Sequence, residues 1–499
     1  VSPSAATSPD VVRRPPLVHR AWAAEWFAGR PDLAALLGPA PGLRSLAQLA
    51  DARRPPPPPG WVDDLLLAPG QPRPPADALV VLAGQQPALA GGAALVAHKA
   101  ATAVALARQL ASHLGHTVVP VFLLADEDHD SAEIDHVDVM DSAKGILRRI
   151  RCPLQPRSAP FWQAAWDEGG LGPALRAVAG VGPEHAARFE ARLTGLRAAP
   201  VAAHVAELLL DALGGEGLAC LRSQRVTAAA PQVLEAALTD PGWSREALAE
   251  GAARLASAGL PASFAPDDPR PLLLETRAAR RRRLLTGDAG AAARWRTTPQ
   301  AFSPHAALRP VAQAAALPVV AQVCGPSELL YLAQARRLHE RFGLPAPVLV
   351  PRLEATRVPR ALLAALGLRL EDVTLDESAR RPLALAGAEA ALREAAARLA
   401  NAVAAAEPSL AGRAQRWREK AERTARRLAE APHWHGAHAG AFELLRPRGR
   451  AQDTVLAWLP DAWRAGRPDA WGRHVVALCR PLEPPAHVLH VPPEEPADG

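Results

Sequence analysis

Between Ala125 and His136 the chain reads ADEDHDSAEIDH, six carboxylates and two histidines within twelve residues. The run follows VVPVFLLA (118–125), an apolar stretch of the kind that forms a buried strand. Three chemistries suit such a cluster. Asp126 to Asp128 can occupy the first turn of a helix, where carboxylates favour the helix dipole. If the segment is helical, His129, Glu133 and His136 share one face, as ligands of a divalent metal do, although H-x3-E-x2-H is not the HExxH spacing of zinc enzymes. Alternatively the carboxylates orient a histidine for acid/base work. His129, held by Asp128 or Asp130, can then take a proton from an amine nucleophile.

Two further segments carry polar groups in suggestive places. GQQPALAGG (84–92) lies between an apolar run and the start of a helical pattern, so its free N–H groups and glycines suit an anion, with Gln85 and Gln86 as amide donors. It matches neither a P-loop nor a GxGxxG fingerprint, and a plain strand-to-helix turn explains it as well. GPSELLY (325–331) opens a helix with Gly325 and Pro326 and places Glu328, Tyr331 and Gln334 along its first turns; proline there is also ordinary capping. Lysine occurs only at Lys99, Lys144 and Lys420 in a chain otherwise charged by arginine, and Tyr331 is the sole tyrosine. An ammonium is a compact point charge that a guanidinium does not replace, which draws Lys99 towards an anion at the mouth of the turn. HWHGAH (433–438) has no cysteine or carboxylate partner nearby and reads as surface loop.

The elements that must position these residues are legible as periodicity. Strands are expected at 78–83, 118–125, 217–222, 318–323 and 346–350, with helices at 92–114 and 325–342. Strand, glycine turn, helix and strand make a βαβ unit, so the expected fold is α/β with a parallel, doubly wound sheet. Ligands then bind outside the carboxyl ends of the strands, where all three polar segments fall. The intervals 151–215 and 240–300 are too long for loops and read as mostly helical insertions. RRPPPPPG (53–60) reads as an extended linker. Leu385, Leu392 and Leu399 repeat every seven residues, each with an alanine three positions on. A break at 407–412 and a second amphipathic helix carrying Trp417 complete a helical hairpin.

Composition excludes several classes. No apolar run of membrane-spanning length is free of charge, and VSPSAATSPDVVRRPP does not read as a secretory signal. Four distant cysteines form no CxxC pair, which fits reduced thiols in a cytoplasm. The net charge of +6 is scattered apart from Arg277–Arg283, without the stacking aromatics of a nucleic-acid binder, so a basic surface with no nucleic-acid role is expected.

Taken together, the motifs resemble the bacillithiol biosynthesis cysteine-adding enzyme (cysteine ligase) family. The marks are Gly84-Gln85-Gln86 with Lys99-Ala100, then Pro120-Val121-Phe122 leading into Glu127-Asp128-His129-Asp130, Glu133 and His136. Ser303-Pro304 with Leu308-Arg309-Pro310 follows, then Gly325-Pro326 with Glu328, Tyr331 and Gln334, Pro351-Arg352, and Pro447, Gly449 and Gln452. The chain departs from the family at 87–94, where small residues imply a less aromatic pocket mouth. The resemblance implies a Rossmann-like nucleotidyltransferase core in two parts (1–150 and 301–382), divided by a connective-peptide insertion (151–300) that contains a core strand near 217–222. It further implies an antiparallel coiled-coil hairpin (383–432) that forms a homodimer, and a C-terminal segment (433–499) packed on the core. The implied activity is addition of L-cysteine to glucosaminyl malate, with ATP as the expected activator, no metal assigned, and no nucleic-acid or membrane partner. On that reading Gly84, Gln85, Gln86 and Lys99 hold anionic parts, and His129 with Asp128 and Asp130 is catalytic. Glu127, Glu133, His136, Arg309, Gly325, Glu328, Tyr331 and Gln334 then bind substrate or nucleotide. The rival expectations are a metal-dependent hydrolase using His129, Glu133 and His136, and a degenerate dimeric scaffold.

Overall fold

Runs of Val, Leu and Ala without polar alternation belong in strands covered on both faces, and they form such a sheet here. The computed structural model describes residues 10–16, 21–52, 60–141, 146–156, 159–166, 171–194, 200–265, 268–373, 375, 381–382, 386–430, 432–433, 444–464 and 466–493. In chain order its core elements are β1 (Leu79–Gln85), α1 (Ala94–Leu114), β2 (Val118–Leu124), α2 (Val201–Leu213), β3 (Ala219–Arg222), α3 (Arg309–Ala316), β4 (Val319–Cys324), α4 (Pro326–Ala335) and β5 (Val348–Pro351). The strands lie in the order β5-β4-β1-β2-β3, all parallel. The chain therefore starts at the centre, runs outward through β2 and β3, and returns to build β4 and β5 on the other side. The direction of winding reverses between β1 and β4, and a crevice opens at the carboxyl ends of those two strands.

The strand period of two divides the core. Leu79, Val81 and Ala83 pack with α1 on one face, while Val80 and Leu82 pack with α3 residues Val311 and Ala312 on the other. α1 is buried along most of its length, and its many alanines let the sheet, α2 and helix Pro468–Leu478 approach it. It stops at Gly115, whose left-handed backbone (φ 61°) returns an N–H to Ala111 O, a glycine C-cap.

The 151–215 interval carries helices Leu171–Ala179 and Pro183–Thr194 and then α2, largely as expected. The 240–300 interval differs. After helix Pro241–Ser257 it forms strands Leu273–Arg277 and Arg280–Arg283, which join Phe302–Pro304 in a three-stranded antiparallel sheet. Ala278 and Ala279 form the two-residue turn, both at positive φ (47° and 56°), as the twist of a tight hairpin demands. The arginine run is thus a strand rather than a diffuse surface charge. Arg280 and Arg282 face solvent and Arg281 is buried.

The chain's later residues fold back onto the start of α1. Leu456 O accepts the Ala94 N–H (2.8 Å), and Trp458 Nε1 donates to Gly91 O (3.0 Å). Gly91 has φ +79°, and a Cβ there would stand 2.8 Å from the Trp458 indole nitrogen, so the turn admits only glycine. Strand His487–His490 then enters between Val11–Arg14 and Glu354–Arg357. Asp453 seals this closure. Its Oδ2 lies 2.6 Å from an Arg352 nitrogen and 3.5 Å from His98 Nδ1. Burial opposes the charge on Asp453, but Arg352 and His98 outweigh it and hold the carboxyl far below its usual range.

Helices α5 (Ala386–Ala406) and α6 (Ala411–Glu430) pack on each other across a short turn. The leucine repeat does not line the contact between them. Leu392 and Leu399 are 44% and 52% exposed and Trp417 is 46% exposed, whereas Ala396, Ala400 and Ala414 are buried. Small residues let the two backbones come close, and the large apolar side chains are left outside. Leu385, the 53–59 stretch, Lys144 and 434–438 of the histidine tract lie outside the described residues. Among the described residues no helix is long and apolar enough to cross a membrane, and the four cysteines are buried free thiols.

Replacing Asp453 by alanine would leave Arg352 buried beside an empty place. The expected cost is about 3–5 kcal/mol, the usual penalty for breaking a buried ion pair from one side. Equilibrium unfolding in denaturant measures it, and a loss below about 1 kcal/mol would show that the closure does not depend on this pair.

Candidate active site

The crevice at the reversal between β1 and β4 is a cavity of about 630 Å3. Gly84, Gln85 and Gln86 come from the end of β1, and Gly325, Glu328 and Tyr331 from the start of α4. Asp128 and Glu133 follow β2, and Arg309 and Gln313 lie on α3. Arg450 and Thr454 of the returning C-terminal segment complete the wall. Three segments remote in sequence therefore meet at one place because their strands are neighbours in the sheet.

Lys99 joins the two rims. Its Nζ lies 2.5 Å from Glu328 Oε2, 2.6 Å from Gln85 Oε1 and 3.0 Å from Gly84 O, and the residue is 1% exposed. Three protons meet three acceptors in three directions, a task for an ammonium rather than a planar guanidinium. Lys99 was expected to reach an anion at the mouth. Its donors are already spent, so it positions Gln85 and Glu328 instead. Glu328 Oε2 also accepts the Gly325 N–H (2.7 Å), capping α4, and Oε1 lies 3.4 Å from the Tyr331 hydroxyl. Burial, reinforced by the nearby Glu328 carboxylate, pushes the Tyr331 phenol well above its ordinary range, so it stays protonated. The anion cradle expected at the start of α1 is altered too, since the Ala94 N–H is taken by Leu456 O.

The acidic segment is not the continuous helix that would align His129, Glu133 and His136. Only Ser131–Ile134 is helical, and His136 begins an outer strand, His136–Asp141. The shared face on which the metal reading relied is therefore missing, and among the described residues no group of three such side chains is arranged to hold a metal ion. Each carboxylate has its own task. Asp126 is fully buried and anchors the next strand end through Arg222 Nε (2.7 Å), Ser223 Oγ (3.0 Å) and Gln224 N (3.1 Å). Asp130 caps the short helix by accepting the Ala132 N–H (3.2 Å), so it does not orient His129. His136 pairs with Asp135 at 3.0 Å, away from the cleft.

Asp128 is the member that faces the cleft. Its Oδ2 accepts from Gln86 Nε2 (3.0 Å), its Oδ1 accepts the His129 N–H (2.8 Å), and His129 Nδ1 and an Arg281 nitrogen stand at 3.5 and 3.6 Å from Oδ1. Burial works against its charge. The His129 hydrogen bond and the Arg309 and Arg281 guanidiniums prevail and keep it ionised far below the usual carboxylate range. His129 is not among the residues that line the cleft; its side chain is 36% exposed, with Nδ1 buried on the side of Asp128. Glu127, one residue earlier, points away from this cleft to line a neighbouring cavity. There burial raises its carboxyl, more than Arg309, Thr227 and Arg281 together recover.

Gln334 does not reach the cleft. It is fully buried and clamps the 263–264 loop, accepting from Ser263 N and Phe264 N (2.9 Å each) and donating to Phe264 O (2.8 Å). Phe264 in turn packs at 5.8 Å on Tyr331, so Gln334 supports the wall from behind. Sequence reasoning missed Arg281. Its Nε donates to Ser303 Oγ (2.9 Å), and burial draws its guanidinium down to about 10, still charged near neutral pH. One signal was available: in a hairpin strand alternate arginines face opposite ways, so a run of four cannot all be solvated. Arg309 Nε is buried without a partner among the described residues, which leaves a donor for an anionic group in the cleft.

Comparison with known proteins bears out the resemblance. A family model described as "Bacillithiol biosynthesis BshC, N-terminal Rossmann-like domain" matches residues 75–164 and 276–353. The chain is 28% identical over 312 residues to the "Putative cysteine ligase BshC" of Heliobacterium modesticaldum, covering 56% of this chain and 55% of that protein. It is 29% identical over 305 residues to the protein of the same name from Shouchella clausii (57% and 56%) and 32% identical over 290 residues to that of Thermus thermophilus (54% and 56%). The chain spans about half the length of the curated relatives it matches. The matched residues include β1, the acidic segment, Arg281, Arg309, α4 and Arg352, which together build the cleft.

The raised Glu127 carboxyl has a thermodynamic consequence. The native state binds its proton more tightly than the unfolded chain, so the stability it contributes is full below the unfolded value of about 4.3 and is lost as pH rises through the higher folded value. Glu127→Gln should therefore melt above the wild type near neutral pH and show no advantage at about pH 4. Parallel melting curves across that range would remove burial as the dominant influence on this carboxyl.

Proposed function

We propose that this protein catalyses the cysteine-adding step of bacillithiol biosynthesis, forming an amide between the carboxyl of L-cysteine and the amine of glucosaminyl malate. The observation that carries this reading is the composition of the switch-point cleft. Asp128 is held ionised beside His129, and a guanidinium with a free buried donor, Arg309, faces the same space. The names of the relatives supply cysteine and bacillithiol synthesis, and the family resemblance implies glucosaminyl malate as the acceptor.

Amide formation has two requirements. A free carboxylate is a poor electrophile, and ATP, when bound, supplies the leaving group it lacks. Arg309 suits the anionic part of such a group, since its Nε has no acceptor among the described residues. The amine must also be neutral to attack. His129 is the base for its proton as the C–N bond forms, and ionised Asp128, 3.5 Å from Nδ1, stabilises the resulting imidazolium. Lys99, Glu328 and Gln85 act through position: they fix the distance between the rims on which the two substrates rest. Tyr331 offers a hydroxyl that burial keeps protonated. This reading includes a nucleotidyltransferase-like core with the 151–300 region as its connective insertion, a cytoplasmic setting, and a homodimer built through α5 and α6 as a coiled coil. The exposed Leu392, Leu399 and Trp417 support the dimer, because three large apolar side chains on one helical pair are otherwise left in water.

Two measurements test the reading. Purified protein given L-cysteine, glucosaminyl malate and ATP should yield bacillithiol by mass spectrometry. His129→Asn should lower the rate by about 10²–10⁴-fold with an unchanged melting temperature. Absence of product from the wild type, with bacillithiol undiminished in cells lacking the protein, would refute the assignment; full activity of His129→Asn would refute the base. For the assembly, Leu392→Glu combined with Leu399→Glu should convert dimers to monomers in light scattering, and an unaltered mass would return the leucines to plain surface.

A further inference from the structure

A second cavity, of about 440 Å3, lies at the neighbouring strand ends, β2 and β3. Its walls include Trp162, Trp295 and Phe302, exposed Ala228 stands at its edge, and Glu127 closes its inner side. Glu127 is 3% exposed. Thr227 hydrogen-bonds its carboxyl, and Oε2 is buried without a partner among the described residues. Arg309 is close enough to be the strongest charge acting on Glu127, and its Nε is likewise buried without a partner among the described residues. Arg309 lines the main cleft and Glu127 the second cavity. The partition between them thus holds an acceptor lacking a donor and a donor lacking an acceptor, and buried polar atoms are seldom left so.

Such a pair is complementary to a zwitterion, whose ammonium donates and whose carboxylate accepts a short distance away. We propose that the second cavity seats an α-amino acid. Its ammonium meets Glu127, its carboxyl turns past the partition towards Arg309 and the main cleft, and its side chain lies among Trp162, Trp295 and Phe302. The inference rests on the cysteine-adding reading and gives it a substrate site. The aromatic walls suit a thiol, which behaves as a small, soft apolar group. An ammonium seated there would favour the charge that burial opposes on Glu127, and the pairing settles which amine reacts. An ammonium held by a carboxylate has no lone pair, so the seated amino acid does not acylate itself. The sugar amine, deprotonated in the main cleft, would attack the activated carboxyl carbon, the C–N bond forming as the bond from that carbon to the oxygen of the ATP-derived leaving group breaks, while the amino acid's own ammonium keeps its proton throughout.

The test is calorimetric titration of the whole protein under reducing conditions with L-cysteine, cysteamine (no carboxyl) and 3-mercaptopropionate (no amine). Wild type should bind L-cysteine tighter than either analogue by about tenfold or more. Glu127→Gln should lose that advantage over 3-mercaptopropionate, and Ala228→Trp, a surface substitution at the cavity's edge, should weaken all three. Glu127→Gln is expected to fold at least as stably near neutral pH, so the loss would not reflect unfolding. Equal affinity for the three compounds, or unchanged L-cysteine binding in both variants, overturns the proposal. Product assays on the same preparations separate the two readings. Selective amino-acid binding without thiol product supports the seat and sinks the ligase. Product formed with an unaltered KM for cysteine in both variants sinks the seat and leaves the ligase standing.

Discussion

The cleft depends on one ion pair, buried Lys99 with half-buried Glu328. Its partners stand on α1 and α4, the helices that follow the two strands between which the sheet reverses its winding. Nothing in the sheet's hydrogen bonding sets how far those helix starts stand apart. The ion pair does: Lys99 is buried, Glu328 stands half-buried in the cleft wall, and the desolvation of the ammonium is offset by complete hydrogen bonding. Here it is complete on the lysine side, with Gln85 and Gly84 as the other acceptors, and nearly so on the glutamate side, with the Gly325 N–H and Tyr331. A lysine so placed has no freedom to follow a ligand, and the rims it joins inherit its rigidity.

From that pair the order spreads through polar contacts. Gln86, beside Gln85, holds Asp128; Asp128 draws in Arg281; Arg281 grips Ser303 and so ties the three-stranded sheet to the cleft. Adjacent carboxylates then diverge. Asp128 lies among guanidiniums and a histidine and stays ionised, whereas Glu127, in drier surroundings, is pushed the other way. Neighbours in sequence that titrate in opposite directions are a means of dividing labour within one site. Here the division coincides with a division of space, since the two side chains line different cavities.

The returning C-terminal segment has a comparable role at the other side of the cleft. Leu456 and Trp458 satisfy groups at the start of α1, and Arg450 and Thr454 reach the cleft itself. Asp453 and Arg352 hold this segment down through a pair that neither could keep buried alone. The site is thus assembled from segments hundreds of positions apart, and buried Lys99, Asp453 and Arg352 stiffen it.

Much of this was legible in the residues themselves. Apolar runs of strand length, a helical period after a glycine turn, and polar clusters at the ends of those runs specify a parallel α/β sheet and its ligand-binding edge, because burial on both faces permits no other pattern there. The rarity of lysine and tyrosine drew attention to Lys99 and Tyr331, and the fold places both at the cleft. What those groups touch was decided by tertiary structure alone. Lys99 meets Glu328 across 229 positions of chain (328 − 99), so an anion site and an internal ion pair look identical in sequence. Gln334 and Asp130 turned from the cleft because backbone N–H groups claimed their oxygens, a competition that depends on loops no periodicity predicts. Arg281 became a site residue because hairpin pairing sends every second side chain inward, and the leucines of α5 stayed outside because alanines fit the helix contact better. Sequence sets which groups can be buried; only the packed chain sets which of them find partners, because a partner is a matter of a few ångströms between residues hundreds of positions apart.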